Sequence, residues 1–104
     1  MNKTYSEGRL AHIREQALIY RCACPAQVCV AIEAIRVLYS YQINCLDDTD
    51  TDQAVHLRIK DSAERSHAEL EECLTDILKK EGWNIETLKM PSNLKKRLLG
   101  EGEE

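Results

Sequence analysis

Cys22, Cys24 and Cys29 form a C-x-C-P-x3-C run, three thiols within eight residues. Thiolates are soft donors that hold zinc, copper(I) and iron–sulfur clusters, and the thiolate is also the form that is oxidised. Proline is favoured at the first position of a helix, so Pro25 places Cys24 at an N-cap, where the helix dipole favours its thiolate. Cys45 closes the same expected helix about 30 Å away, beyond the reach of one site. Cys73 lies on the following helix, whose antiparallel return brings it back towards Pro25. The candidate metal ligands are therefore Cys22, Cys24, Cys29 and Cys73, for a metal ion or an iron–sulfur cluster. The spacing corresponds to no established zinc or ferredoxin pattern. The alternatives for the same thiols are a redox-responsive site or simple packing.

Two further groupings lie on the long third helix. His56, His67 and Cys73 all fall near its apolar line, but the histidines are separated by about 16 Å of helix axis and cannot share a metal. A histidine buried at a helix interface can instead sense pH. Glu64 and His67 form a Glu-x-x-His, with Glu33 on the facing helix. This set resembles the half-site of small hairpin-type ferritin-like proteins. The resemblance implies di-iron binding through Glu33, Glu64 and His67, completed by dimerisation. Asp48, Asp50 and Asp52 imitate the opening of a calcium loop, but Gln53 and Ile59 stand where that loop needs Gly and Glu. The glycines are scattered at 8, 82, 100 and 102, and no phosphate loop or nucleophile elbow is present. No acid–base pair with a defined pocket can be read, so an enzyme is the least expected class.

The elements that must position these residues are helices. Ser6 with Glu7 starts the first, and Leu10, Ile13, Ala17 and Tyr20 supply one narrow apolar seam. Pro25 restricts Cys24, so that helix should stop by Cys24. The second helix is expected over about 25–44. Val28, Ile32, Ile35, Tyr39 and Leu46 share one line, and Val30, Ala34, Val37 and Tyr41 share nearly the opposite one. Between them lies a narrow polar stripe of Cys29, Glu33, Arg36 and Ser40. A helix apolar on two sides is central in its domain or sits in an interface. Gln42 is expected to satisfy a buried backbone group or to meet its own copy.

The third helix is expected over about 51–80, with Ile59, Ala63, Leu70, Leu74 and Ile77 on one face and Gly82 as its stop. A short turn makes the second and third helices an antiparallel hairpin. One or two short C-terminal helices follow, Asn84 to about Leu88 and Asn93 to Leu99. Trp83, Leu88, Met90, Leu94 and Leu98 should fold them back on the hairpin. Residues 1–5 and 100–104 read as frayed tails.

The 104 residues make a single all-α domain, small enough that oligomerisation is a common source of added stability. A net charge of -4 and a pI near 5.4 argue against a nucleic-acid partner. The opening segment lacks the apolar core of a signal peptide and no apolar run approaches a membrane span, so a cytoplasmic protein with no membrane partner is expected. Two functions fit. One is a small accessory or regulatory protein with a cysteine-centred metal or redox site. The other is an adaptor-like interaction module with structural cysteines, which docks on itself as a homodimer or on a larger protein.

Overall fold

The computed structural model describes residues 1–19, 23–45 and 50–91, with only the backbone of Asp50 and Thr51. The fold is all-α: α1 is Glu7–Ala17, α2 is Cys24–Asn44 and α3 is Asp50–Glu81. No helix of the described residues is long and apolar enough to cross a membrane.

The first helix starts where a hydroxyl can satisfy an orphan donor: Ser6 Oγ accepts the Arg9 amide at 3.1 Å. Its seam buries Leu10, Ile13 and Ala17 completely. Tyr20, expected as its fourth member, lies outside the described residues. Residues 4 and 5 are docked rather than frayed. Tyr5 is buried, and the Thr4 and Tyr5 amides both donate to Glu71 Oε2, at 2.8 and 3.1 Å.

In α2 the cap falls one residue earlier than expected. Ala23 is the N-cap and Cys24 the first helical residue, because the Ala23 carbonyl already receives the Gln27 amide at 3.1 Å. Ala23 has no polar side chain to cap with, and Pro25 eases the shortfall by having no N–H to satisfy.

Side-chain bonds set α2 and α3 in opposed order. Gln42 meets His56, whereas Arg36, six residues earlier, meets His67. Lys60 Nζ sits 5.9 Å from the Tyr39 ring centroid between those two ties. Near its middle, α3 buries Ala63, His67, Glu71, Leu74 and Leu78. One buried polar residue, His67, thus fills the gap of seven that separates Ala63 from Leu70 in the apolar pattern, and Glu71 follows just beyond it.

The third helix ends in a Schellman motif. The Trp83 amide donates to the Leu78 carbonyl and the Gly82 amide to the Lys79 carbonyl, both at 3.0 Å. Gly82 has φ +87°, a region that L side chains adopt only with strain. The segment 84–88 is a single turn, not the short helix expected. Asn84 caps it, its Oδ1 accepting the Glu86 and Thr87 amides at 2.9 Å each. Continuation stops because Leu88 turns left-handed at φ 58° and the Asn84 amide closes back on the Lys89 carbonyl. Trp83, Leu88 and Met90 are buried, so this segment does fold back onto the helices. The expected helix over Asn93 to Leu99, with Leu94 and Leu98, lies outside the described residues, as does the tail after it.

The core is lopsided. Leu10, Ile13, Cys29, Ile32, Leu74 and Leu78 fill the end where α1 and the 83–90 segment cover the α2–α3 pair. Further along the pair, Val37, Leu38, Tyr41 and Ile43 on α2 and Val55 and Leu57 on α3 are exposed.

Gly82→Ala tests the helix stop. A Cβ there would meet only Pro91 Cγ at 3.7 Å, an ordinary contact. The cost is therefore backbone strain alone, about 1–2 kcal/mol, and it should appear as a lower urea midpoint with an unchanged m-value.

Candidate functional site

The interior polar groups converge on Arg36. The narrow polar stripe on α2 is largely covered: Cys29 and Arg36 are buried, Glu33 is half-buried and only Ser40 is exposed. The stripe faces inwards because α1 and the N-terminal segment lie across it and supply partners. Arg36 Nε donates to His67 Nε2 at 2.9 Å, and Nη1 donates to Glu7 Oε2 at 3.2 Å. Nη2 donates both to the Tyr5 carbonyl at 2.6 Å and to Glu71 Oε2 at 3.1 Å. Glu71 Oε2 also receives the Thr4 and Tyr5 amides. One guanidinium thus ties α2, α3, the first turn of α1 and the N-terminal segment together.

This geometry fixes the state of His67. An arginine N–H can only donate, so His67 Nε2 carries its lone pair and the ring proton sits on Nδ1. Nδ1 lies 3.7 Å from Glu71 Oε1. Burial disfavours the imidazolium and holds the His67 pKa below its usual 6.5; Glu71 opposes this, while Arg36, Lys3 and the N-terminal amine reinforce it. The neutral form is therefore the native one.

The cysteines are placed apart in environment. Cys24 is exposed at the start of α2, Cys45 and Cys73 are half-buried, and Cys29 is wholly buried. Burial, with the nearby Glu33 carboxylate, pushes the Cys29 thiol up to about 12. It is a protonated packing residue at neutral pH. Cys22 lies outside the described residues. Of the ferritin-like set, Glu64 and His67 line one cleft of about 300 Å³ with Met1 and Asn2. Glu33 instead accepts from Arg14 Nε at 3.2 Å, and Glu64 from Lys60 Nζ at 3.3 Å. Among the described residues no three His, Cys, Asp or Glu side chains are grouped so as to hold a metal ion. His56 stands apart, its Nδ1 donating to Gln42 Oε1 at 2.6 Å. The partner of the buried Gln42 is thus a half-buried side chain of α3 rather than the backbone group or second copy expected.

The second feature is an open apolar row on α2. Val30, Val37 and Tyr41 are 54%, 70% and 59% exposed, and Ala34 between them is exposed too. At the Val30 end the row runs into a pocket of about 460 Å³ between α1 and α2, lined by Arg14, Leu18, Ala23, Ala26, Gln27 and Val30. Between Ala26 and Cys45 the only charged residues are Glu33 and Arg36; both are engaged in ion pairs, and with Lys3, Glu7 and Arg14 they line a cleft that borders the row at Val37.

No family model, no curated protein and no solved structure matches this chain.

Arg36→Met leaves the buried Glu71 carboxylate without its counter-charge and should cost about 3–5 kcal/mol in urea unfolding; Arg36→Met/Glu71→Leu should recover only part of it, because the Thr4 and Tyr5 amides and the Tyr5 carbonyl then lose their partners. Stability should also fall with pH. The depressed His67 pKa means that the unfolded chain binds the extra proton first. Its contribution is present above pH 6.5 and is lost as pH falls from there through the folded value. Thermal midpoints between pH 7.5 and 5.5 should show the loss, and His67→Gln, which keeps an acceptor for Arg36, should flatten that slope.

Proposed function

We propose that this protein is a helical interaction module that associates with a second copy of itself through the open row of α2. The observation that supports the reading is an apolar row, Val30, Ala34, Val37 and Tyr41, left exposed on the helix that is most central to the fold. Leu18, at 65% exposure, extends the apolar surface beside it. A stable twofold contact needs roughly 1,200 Å² in all, about 600 Å² from each copy, so the row and the adjoining pocket must both take part. A second copy suits the row electrostatically. The chain carries -4 overall, yet the row itself carries no charge, and the Glu33 and Arg36 that border it are already paired within the chain. A cytoplasmic setting fits a chain whose cysteines include a buried, protonated thiol. A cysteine-centred metal or redox role would have to be carried by Cys22, Cys24 and Cys73, since Cys29 is committed to the core.

The test is a sedimentation-equilibrium series across micromolar concentrations. The expected result is a mass that rises to twice that of the chain. Val37→Asp, which places a charge at the middle of the row, should hold the mass at that of one chain while leaving the helical circular dichroism intact. A wild-type mass that never departs from one chain overturns the proposal.

A further inference from the structure

The row and the pocket are related by their spacing. Val30, Ala34, Val37 and Tyr41 follow one another at intervals of 4, 3 and 4, which reads the same in both directions. A twofold axis passing between Ile35 and Arg36, with the two copies of α2 antiparallel, therefore sets Val30 against Tyr41 and Ala34 against Val37. This is the self-matching that an isologous contact requires. The sizes are complementary as well. The small Ala34 meets Val37 at the centre, where the helices approach most closely, and the large Tyr41 falls at each outer end. At that outer end, beside Val30, lies the 460 Å³ pocket between α1 and α2.

We infer that this pocket receives the Tyr41 side chain of a second copy, so that each subunit lends one aromatic anchor to the other. The chemistry of the walls matches a phenol. Leu18, Ala23, Ala26 and Val30 give apolar surface for the ring, and Arg14 and Gln27 give polar groups for its edge and hydroxyl. The ring is available, being 59% exposed within its own chain. Arg14 is already held in place by its bond to Glu33, so the polar side of the pocket is organised before the anchor arrives. The inference rests on the self-association proposed above and adds the orientation, the register and the anchor.

A charge-pair exchange tests it, read by sedimentation equilibrium on the full chain. Val30→Asp and Tyr41→Lys made singly should each weaken dimerisation by about tenfold or more. In the antiparallel register, the double variant Val30→Asp/Tyr41→Lys sets each introduced acid against an introduced base of the other copy. It should dimerise about tenfold more tightly than either single variant, and more weakly as salt is added. Tyr41→Phe should stay within a few-fold of wild type, since the ring is the anchor. A wild-type dimer whose double variant is as weak as the sum of the two single losses overturns the register and the pocket while leaving self-association standing. A dimer indifferent to Tyr41→Lys does the same, and would point to another occupant for the pocket. A wild-type chain that stays single overturns both. Circular dichroism of every variant separates loss of contact from loss of fold.

Discussion

A buried guanidinium cannot be left alone in an apolar interior, and the fold is arranged around meeting that demand. Arg36 is 6% exposed, and its donors go to a carboxylate on α3, an imidazole on α3, a backbone carbonyl before α1 and a carboxylate on the first turn of α1. Apolar contacts tolerate sliding by a residue or a few tenths of an ångström. A planar fork with fixed donors does not. The apolar core therefore supplies the bulk of the attraction, and Arg36 sets the register in which α2, α3 and the N-terminal segment meet.

The same demand separates the two faces of α2. The inward side takes Cys29, Ile32 and Arg36, with α1 laid across it. Having spent its neighbours there, the short chain has none of its described residues left to cover Val37 and Tyr41. Among the described residues, α1 and the 83–90 segment wrap one end of the helix pair and leave the row open.

Helix identity was legible in the sequence because period and punctuation agreed. Ser6, Pro25 and Gly82 marked boundaries that lie within a residue of the observed ones, and the seam of Leu10, Ile13 and Ala17 was buried as its spacing required. The exposed line of Val30, Ala34, Val37 and Tyr41 was visible too, as an apolar face in excess of what one core needs. Arg36 was not. A hydropathy wheel places arginine in solvent and cannot see that Glu71, His67 and the Tyr5 carbonyl wait across the interface, from 31 to 35 residues away in sequence. One trace did exist: the apolar face of α3 breaks between Ala63 and Leu70, and His67 occupies the break. The docking of Thr4 and Tyr5 was hidden for the same reason, since it depends on a carboxylate 66 residues further on. The cysteine run drew attention by its types, but burial rather than spacing decided the state of Cys29.

The lopsided core also sets how the molecule breathes. At one end the α2–α3 pair is gripped by α1, by the 83–90 segment and by the Arg36 ties. At the other end two helices lie side by side, and the bond between His56 and Gln42 is the buried polar clasp described there. Amide hydrogens near Tyr41 and Val55 should exchange with solvent through partial openings that leave those near Ile32 and Leu74 protected. Unzipping from that tip is then a lower-energy event than unfolding the whole chain, and it leaves the half that holds Arg36 undisturbed.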